Sequence, residues 1–572
     1  RRRAVTFSHS QEKKRLSLPE LYRTESYEYC AGMADKIPVV VPSQFTRDGN
    51  LDHLGKHVPI AAGTRFAYGT AGFRERADRM AFIAYRVGYL ASLRARTTGK
   101  AIGVMITASH NPEHDNGVKI IDPKGEMLVA DWEEYATELI NASDEEFPTA
   151  VRALETSLND PPLGSVTSVV VCGRDTRASG EWLTKAVHEG AALHRTRFDN
   201  RGLLTTPQLH YIVHVLNRPT WAPEGEQGYY QHHAETFASL YEMLPATKKY
   251  TTRLHIDCAN GIGAPKMRLL ADLLGQPSPI LILSIPRMSN QLQCGADFVK
   301  IAREAPARFE DVPVNERCAV FDGDADRLVY FYKKEDGKIE LLDGDKIALL
   351  IAQFYKEHLS SLGLLDEVTF GIVQTAYANG NSSKYMREQL NTTPIFVPTG
   401  VKHLHHEAAK YDCAIYFEAN GHGTATFSDK FFNLLERSDK PEGRRLWLMS
   451  RLINMVVGDA MADLLVVELI LRDYDWTVQQ WAEMYEEAPS KQLKIPVADR
   501  SLFRTTPDET RLVEPAALQT KIDDAVGKRG EGARAFVRPS GTENIVRVYA
   551  ESASQADADE LAAEIEQAVK AL

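Results

Sequence analysis

Cysteine is scarce in this chain of 572 residues, and the six cysteines are scattered along it. No two of them form a CxxC pair, which argues against a zinc ribbon and against a disulfide scaffold. Isolated cysteines favour a reducing compartment, so we expect a cytoplasmic protein. A chain of this length can bury a large core without metal or disulfide staples.

Long apolar runs are also missing. The strongest, residues 464–471, still contains Glu468 and follows Asp463, whereas a membrane span needs about 20 nearly uncharged residues. We therefore expect a packed helix there and no membrane partner. The N-terminal arginines are not followed by an apolar segment, which excludes a secretory signal and leaves a transit peptide open. Because the chain begins with Arg1 rather than Met, we expect a processed or truncated form.

A surplus of positive charge is absent as well. Lys and Arg total 67 and Asp and Glu 78, which gives a formal net charge of −11. A general nucleic-acid binder needs a basic face, so we expect no nucleic-acid partner. With 44% hydrophobic and 25% charged residues the composition is that of a globular protein, and about 150 residues per domain predicts three to four domains.

Apolar runs that end in polar turns containing Gly or Asp recur along the chain. The clearest are residues 101–106, 254–257, 318–321 and 368–373. If each run is a strand followed by a helix, the fold is layered α/β, with functional side chains at the carboxyl ends of the strands. The Pro- and Gly-rich stretch 219–228 predicts a domain boundary. From about residue 495 the pattern changes to a smaller α+β unit.

Three aspartates alternate directly after one of these apolar runs, in the aspartate loop (residues 322–327). In an extended chain Asp322, Asp324 and Asp326 point to the same side, so we expect their carboxylates to converge. A cation relieves their repulsion, and all-oxygen ligands suit Mg²⁺. Arg327 and Lys333 occupy the positions where an EF-hand needs Gly and Glu, which excludes that motif.

A serine follows another apolar run, in the serine loop (residues 107–112). At a strand end beside His110, Ser109 is a candidate nucleophile, although a Ser-His pair alone is more typical of a turn or helix cap. No GxSxG elbow surrounds it, so hydrolase chemistry is not indicated. Lys119 follows ten residues later, after a turn.

Two further loops carry groups that bind anions or hydroxyls. The arginine loop (residues 538–547) combines small residues, hydroxyls and two arginines, and so predicts a phosphate cradle in a chain without Walker A spacing. The glutamate loop (residues 418–423) places Glu418 and Asn420 in a Gly-rich turn, which suits recognition of a sugar hydroxyl or amide.

Two other patterns are set aside. Gly261-Ile262-Gly263 lacks the third glycine of a dinucleotide fingerprint. The histidines of the segment 403–406 fit no standard zinc spacing, and we expect them at the surface.

Taken together and in this order, the loops resemble those of the α-D-phosphohexomutase superfamily. Residues 68–74, Tyr-Gly-Thr-Ala-Gly-Phe-Arg, are similar to its N-terminal signature. The serine, aspartate and arginine loops are similar to its phosphoserine, metal and phosphate loops. Residues 108–119, 417–424 and 536–546 most resemble the eukaryotic branch that acts on N-acetylglucosamine phosphates. The resemblance covers roughly residues 35–572.

The resemblance implies an α/β fold of four domains around a central cleft: three related mixed α/β domains and a smaller C-terminal α+β domain. The expected division is an N-terminal extension at 1–35, a phosphoserine domain at 36–220, a metal-binding domain at 221–335, a sugar-recognition domain at 336–485 and a phosphate-binding domain at 486–572.

It also implies interconversion of N-acetylglucosamine 6-phosphate and 1-phosphate through a phosphoserine and a 1,6-bisphosphate, with Mg²⁺, toward UDP-N-acetylglucosamine. The partners are then small hexosamine phosphates. By motif position the catalytic residues are Ser109, Lys119, Arg74, His110 and Arg327. The metal ligands are Ser109, Asp322, Asp324 and Asp326. The substrate-binding residues are Glu418, Ala419, Asn420, Arg538, Ser540, Gly541, Thr542 and Arg547.

Other activities stay open at this point. One is a phosphoglucomutase or phosphomannomutase. Another is a Mg²⁺-dependent sugar phosphatase with Asp322 as nucleophile and Asp324 as acid, which leaves Ser109 and the arginine loop without a role. A third is a catalytically silent sugar-phosphate binding protein. The sequence makes no prediction of oligomeric state.

Overall fold

A computed structural model describes residues 39–162, 165–274, 281–284, 293–541 and 544–572 of the chain. The expected N-terminal extension at 1–35 and Thr542 of the arginine loop lie outside the described residues. Short 3-10 turns occupy Ser43–Phe45, Ala77–Arg79 and Arg500–Leu502.

The first domain is built on a five-stranded mixed sheet. Its strands are β1 (Phe73–Arg76), β2 (Ala101–Ile106), β3 (Asp115–Ile121), β4 (Val169–Arg174) and β5 (Arg197–Leu203). Its helices are α1 (Ala81–Thr98), α2 (Ala130–Asn141), α3 (Phe147–Ser157), α4 (Gly180–Ala192) and α5 (Thr206–Asn217). The strand order is β1-β3-β2-β4-β5, with β2 antiparallel to β3 and parallel to β4. Every residue of β2 is buried, because one face packs on α1 and the other on α5.

The second domain repeats this pairing pattern. Its strands are β6 (Arg253–Asp257), β7 (Leu281–Ser284), β8 (Cys318–Phe321), β9 (Leu328–Lys333) and β10 (Ile339–Leu342), in the order β10-β9-β8-β6-β7. Its helices are α6 (Gly225–Met243), α7 (Gly263–Leu273) and α8 (Ala296–Ala302). As in the first sheet, the central strand is antiparallel to one neighbour and parallel to the other. Since β10 pairs with β9, this sheet extends beyond residue 335, the expected end of the metal-binding domain.

The third domain has a four-stranded sheet and many helices. Its strands are β11 (Phe370–Thr375), β12 (Ile395–Val397), β13 (Cys413–Phe417) and β14 (Gly423–Phe427), in the order β12-β11-β13-β14. Its helices are α9 (Gly344–Leu362), α10 (Gly380–Glu388), α11 (Val401–Ala408), α12 (Asp429–Glu436), α13 (Pro441–Leu452), α14 (Ala460–Asp473) and α15 (Val478–Ala482).

Helix α14 contains the strongest apolar run, and its residues from Ala460 to Leu471 are all buried. The prediction of a packed helix is therefore confirmed. Among the described helices, none is both long enough and apolar enough to cross a membrane.

The fourth domain is the smaller α+β unit that the sequence predicts. Its strands are β15 (Ser490–Pro496), β16 (Arg504–Thr505), β17 (Leu512–Glu514), β18 (Arg534–Pro539) and β19 (Ile545–Glu551), and its helices are α16 (Ala516–Gly527) and α17 (Gln555–Lys570). The main sheet is antiparallel in the order β15-β19-β18. One of its faces packs on the two helices, and the other carries Phe536 and Tyr549 against Ala376 of the third domain.

All four motif loops are hairpin connections. Each joins an antiparallel pair of neighbouring strands: β2 and β3, β8 and β9, β13 and β14, and β18 and β19. The expectation that a helix follows each apolar run is confirmed for residues 254–257 and 368–373, which precede α7 and α10, and is wrong for the runs before the serine and aspartate loops. Their short length explains this, because an antiparallel neighbour needs only a turn, whereas a parallel one needs a crossover.

Candidate active site

Ser109 lies in a strained turn at the end of β2. Its φ angle is 50°, in the left-handed region that residues other than glycine seldom adopt. The backbone N–H of Ser109 donates to Thr107 Oγ1 at 2.9 Å, and Thr107 Oγ1 donates to Asp175 Oδ2 at 2.8 Å. The surrounding structure thus stabilises a conformation that presents the serine hydroxyl to the neighbouring domain.

Arg177 holds the serine loop in place through backbone carbonyls, and it was not predicted from the sequence. Its guanidinium contacts Asp175 Oδ2 at 3.1 Å and also donates to four backbone carbonyls. These belong to Ser109 (3.0 Å), Asn111 (2.8 Å), Pro112 (2.7 Å) and Asp115 (2.9 Å). The available signal was an Asp and an Arg two residues apart directly after the buried strand β4.

The serine and aspartate loops meet directly. Ser109 Oγ donates to Asp322 Oδ2 at 2.5 Å. Asp322, Asp324 and Asp326 are buried, and one oxygen of each lies within 4.8 Å of those of the other two. The predicted convergence is observed, but its predicted cause is wrong. The loop is a turn rather than an extended strand, with Ala325 at φ 59°.

The aspartate turn is closed by its own first residue. Asp322 Oδ1 accepts the backbone N–H groups of Asp326 (3.0 Å) and Arg327 (3.2 Å). Asp324 is held from the first domain by Thr206, whose hydroxyl donates to Asp324 Oδ2 at 2.6 Å. Thr206 begins α5 and was not recognised in the sequence, because no local pattern links it to a loop over 100 residues away.

The three carboxylates have the electrostatics of a cation site. Burial, together with the neighbouring Asp326 and Asp324, raises the pKa of Asp322 well above its ordinary value. Oδ1 of Asp324 and Oδ1 of Asp326 are buried and have no hydrogen-bond partner. Oxygen ligands of this kind, with unpaired lone pairs and mutual repulsion, fit a hard divalent cation such as Mg²⁺.

Positively charged side chains surround the cluster. Lys119 Nζ lies 3.5 Å from Asp324 Oδ2 and 3.6 Å from Asp326 Oδ2. Arg327 Nε lies 3.8 Å from Asp322 Oδ2. Burial lowers the pKa of Arg74, while the carboxylates of the aspartate loop oppose that effect. The structure thus places these three predicted residues around the same carboxylates.

His110 lies beside the serine hydroxyl. Its Nδ1 is 3.2 Å from Ser109 Oγ, and its Nε2 is 3.6 Å from Asp297 Oδ2. Asp297 also accepts a hydrogen bond from Arg327 Nη1 at 2.9 Å, and so joins two predicted residues without having been predicted itself. Burial and the adjacent Arg327 lower the pKa of His110 to about 4, which leaves the ring neutral at neutral pH.

The glutamate loop contacts the aspartate loop from the third domain. Leu328, at the start of β9, donates its N–H to the carbonyl of Gly421 at 3.1 Å. Glu418 accepts from Asn420 Nδ2 at 3.3 Å, and Asn420 Oδ1 accepts the N–H of His422 at 3.0 Å. Ala419 is half-buried between Glu418 and Asn420.

His422 was not predicted, although it lies within the motif. Its Nε2 lies 3.9 Å from Asp326 Oδ2, and it is buried without a hydrogen-bond partner at that atom.

The arginine loop reaches the same region through a chain of contacts. Arg538 Nη1 lies 3.4 Å from Glu509 Oε1, and Glu509 Oε2 accepts from the hydroxyl of Thr399 at 2.6 Å. The next residue, Gly400, donates its N–H to Glu418 Oε1 at 3.1 Å. The fourth domain is thus connected to the glutamate loop.

A row of positive charge crosses the sheet of the fourth domain. Arg547 lies opposite Arg538 in the β18–β19 pair and opposite Lys494 in the β15–β19 pair. Cross-strand cations repel one another, so such a row favours an anion. Ser540, which is buried, and Gly541, which is exposed, follow β18 directly.

Three related mixed α/β domains with a smaller fourth one, and four motif loops that are all hairpin connections, define an α-D-phosphohexomutase. Known domain families match along the chain in the same order. They are "Phosphoglucomutase/phosphomannomutase, alpha/beta/alpha domain I" at residues 89–147, "Phosphoacetylglucosamine mutase AMG1" domain II at 220–329 and domain III at 343–476, and "Phosphoglucomutase/phosphomannomutase, C-terminal domain" at 493–568.

Relatives that match over most of the chain identify the family within this superfamily. Phosphoacetylglucosamine mutase of Homo sapiens is 44% identical over 519 residues, which cover 89% of this chain and 94% of that protein. The Saccharomyces cerevisiae enzyme is 40% identical over 536 residues, covering 89% and 96%. The structure of Aspergillus fumigatus N-acetylphosphoglucosamine mutase with GlcNAc-6P and magnesium matches with a TM-score of 0.84 at 40% identity, covering 89% of this chain and 96% of that chain. The chain belongs to the phosphoacetylglucosamine mutase family.

Proposed function

We propose that this protein interconverts N-acetylglucosamine 6-phosphate and N-acetylglucosamine 1-phosphate through a phosphoserine enzyme and a 1,6-bisphosphate. The observation that carries the proposal is the contact of 2.5 Å between Ser109 Oγ and Asp322 Oδ2, which places a nucleophilic oxygen at a cluster of three buried carboxylates. The activity for which the relatives are named supports the same assignment.

Asp322, Asp324 and Asp326 would hold Mg²⁺, with the Ser109 side chain as a further ligand. When bound, the ion supplies positive charge against the phosphoryl oxygens, which is what phosphoryl transfer needs most. The unpaired Oδ1 atoms of Asp324 and Asp326 support this choice of ligands.

Side chains of this protein would carry out the phosphoryl transfer, each in a different role. The phosphoryl group on Ser109 Oγ passes to the free sugar hydroxyl, and the hydroxyl's proton passes to a general base, for which Lys119 is our candidate. Arg74 and Arg327 neutralise the phosphoryl oxygens, and His110 lies beside the serine oxygen as a neutral ring. The bisphosphate then turns around, and Ser109 takes the other phosphoryl group.

The third and fourth domains would bind the rest of the substrate. Glu418, Ala419 and Asn420 bind the sugar and recognise its polar groups. The phosphate that is not reacting lies on the row of cations beside the arginine loop. Its ligands there are Arg538, Ser540, Gly541, Thr542 and Arg547.

We place this reaction in the cytoplasm, in the formation of UDP-N-acetylglucosamine. The described cysteines, four buried and Cys294 half-buried, are free thiols, the state that a reducing compartment maintains.

A side-by-side assay of N-acetylglucosamine 6-phosphate and glucose 6-phosphate tests the proposal, with 1-phosphate and free phosphate measured separately. We expect 1-phosphate without free phosphate, and faster turnover of the N-acetylated sugar. Release of free phosphate would favour the phosphatase, and preference for glucose phosphate would favour a phosphoglucomutase. Binding without turnover would indicate a silent binding protein.

A further inference from the structure

A carboxylate lies beside the row of cations in the fourth domain, although that row is the candidate site for a phosphate. It belongs to Glu509, in the turn between β16 and β17, and its Oε1 lies 3.4 Å from Arg538 Nη1. The side chains of Glu509 and Arg538 are 18% and 13% exposed, so water screens the pair only partly. A fixed negative charge repels a phosphate bound at the same arginine, so its presence there implies a role that outweighs this repulsion.

The turn that carries Glu509 has a defined structure. Asp508 accepts hydrogen bonds from the hydroxyls of Thr506 at 2.5 Å and Thr510 at 2.9 Å. The backbone N–H of Thr506 donates to the carbonyl of Arg511 at 2.8 Å. Glu509 itself has a φ angle of 58°, in the left-handed region that residues other than glycine seldom adopt. Because these bonds stabilise that conformation, the turn presents the Glu509 side chain in a fixed direction.

The Glu509 carboxylate contacts the third domain. Its Oε2 accepts two hydrogen bonds from Thr399, one from the backbone N–H at 3.0 Å and one from the hydroxyl at 2.6 Å. The third domain also contacts Arg538 directly, because Arg538 Nε donates to the hydroxyl of Tyr377 at 3.1 Å. Arg538 is thus held at Nη1 by Glu509 and at Nε by Tyr377. Two partners at different nitrogens fix the plane of its guanidinium.

Thr399 precedes a segment that is anchored to the first domain. Lys402 Nζ lies 2.7 Å from Glu133 Oε2 on α2, and His405 Nε2 lies 3.5 Å from Glu126 Oε1. His405 is 3% exposed. The expectation of a surface position is therefore wrong for this histidine, because α11 packs on the sheet of the third domain. Glu509 thus contacts a part of the third domain that is itself held in place.

We propose that Glu509 is a positioning residue for the phosphoryl transfer, an inference that rests on the proposed function. Glu509 orients Arg538 toward the phosphate that is not reacting. Its contact with Thr399 links this arginine to the next residue, Gly400, whose N–H donates to Glu418 Oε1 in the glutamate loop. The same contact holds the fourth domain against the third and keeps the bisphosphate in the cleft while it turns. An arginine that is already oriented loses less conformational freedom on binding, which offsets the repulsion between Glu509 and the phosphate.

Glu509→Gln separates the two contacts. The amide oxygen can still accept both hydrogen bonds from Thr399, whereas the amide nitrogen cannot accept one from Arg538. We expect kcat/KM for N-acetylglucosamine 6-phosphate to fall roughly tenfold or more, mainly through KM, because the contact to the unreacting phosphate is weakened in every state. More 1,6-bisphosphate should also be released into solution per turnover. Glu514→Gln is the matched control, since Glu514 lies on the same hairpin and pairs with the exposed Arg504.

Thr399→Val tests the other end of the contact. Valine keeps the side-chain shape and the backbone N–H but lacks the hydroxyl that donates to Glu509. We expect a several-fold increase in released bisphosphate and a smaller change in KM than in Glu509→Gln. Thr399→Ser keeps the hydroxyl and should behave like the wild type. The midpoints of thermal unfolding should agree among these variants, so the released bisphosphate reports positioning and not a loss of folded protein.

Isothermal titration calorimetry with N-acetylglucosamine 6-phosphate, in a Ser109→Ala background, measures binding without turnover. Affinity should fall roughly tenfold with Glu509→Gln and stay unchanged with Glu514→Gln. Equal or tighter binding by Glu509→Gln would overturn the inference, because Glu509 would then only compete with the phosphate. The inference also fails if Glu509→Gln and Thr399→Val release no more bisphosphate than their controls. A wild-type protein without mutase turnover would contradict the proposed function instead, and the calorimetric comparison would still decide the role of Glu509.

Discussion

Ser109 Oγ and Asp322 Oδ2 lie 2.5 Å apart, although 213 residues separate them in the chain. The contact joins the hairpin loops of two domains. Gly323 permits this close approach, because a Cβ at that position would lie 2.5 Å from the carbonyl oxygen of Ser109. This hydrogen bond therefore joins the first and second domains at the candidate active site.

Ser109→Ala should abolish mutase turnover while leaving the fold intact, because the cycle starts from the phosphorylated serine. Intact-protein mass spectrometry should find a phosphoryl group on the purified protein and none on the variant. Ser165→Ala, at an exposed serine, is the control. Substantial turnover by Ser109→Ala would remove the phosphoserine mechanism.

Asp324→Asn should raise the Mg²⁺ concentration needed for half-maximal activity by on the order of 10- to 100-fold or more. Loss of a residue that only supports a metal ligand already weakens metal binding by that factor, and Asp324 is a candidate ligand itself. A Mg²⁺ titration of activity measures this, with Asp311→Asn at an exposed position as the control. Activity that survives a strong chelator would contradict the metal assignment.

Arg177→Lys should lower kcat with little change in KM. Arg177 positions the serine loop, and it contacts none of the predicted substrate-binding residues. Lysine keeps the charge but cannot reach four carbonyls at once. Loss of one or more charge-assisted bonds of about 1.5–3 kcal/mol each predicts a drop of at least roughly tenfold.

The matched control for Arg177→Lys is Arg174→Lys, since Arg174 lies three residues earlier and pairs with the exposed Glu181. Equal kcat values for the two variants would show that the clamp has no positioning role.

Arg547→Ala should reduce kcat/KM by roughly 10- to 150-fold, because a charge-assisted contact to the unreacting phosphate is lost. The bisphosphate should also escape before it finishes turning, which leaves Ser109 unphosphorylated. Progress curves should therefore stall and recover when bisphosphate is added. Arg504→Ala, on an exposed strand of the same domain, should do neither. If the variant turns over slowly but at a constant rate, and added bisphosphate does not change that rate, Arg547 does not hold the intermediate.

Two histidines on α6, His233, which is buried, and His232, which is half-buried, should make the protein acid-labile. Burial lowers the pKa of His232 to about 3 and that of His233 to about 4, from an ordinary 6.5. Between pH 6.5 and pH 4 the histidines of the unfolded chain bind more protons than those of the folded chain. The neutral histidines therefore contribute fully to stability above pH 6.5, and the free energy of unfolding falls as the pH drops toward 4. Urea unfolding at several pH values should show this decline.

His233→Phe should flatten part of that decline, whereas His53→Phe, at an exposed position, should not. An unchanged slope in His233→Phe would mean that other groups cause the acid lability.

The sequence by itself determined the order of the four loops and the chemistry of each. Ser109, the three aspartates, Glu418 and Arg538 each stand in a short run that a local pattern reveals. The packed helix around residues 464–471 and the smaller α+β unit were predictable for the same reason: hydrophobic periodicity and composition act within one element.

Only the tertiary structure decided how the loops meet. Arg177, Thr206 and Asp297 hold residues that are distant along the chain, so no local pattern marks them. The aspartates converge through a turn rather than through strand alternation, because the carboxylate of Asp322 accepts the backbone N–H groups of Asp326 and Arg327. His405 is buried because α11 packs against the sheet of the third domain, a contact that becomes visible only when the elements are assembled.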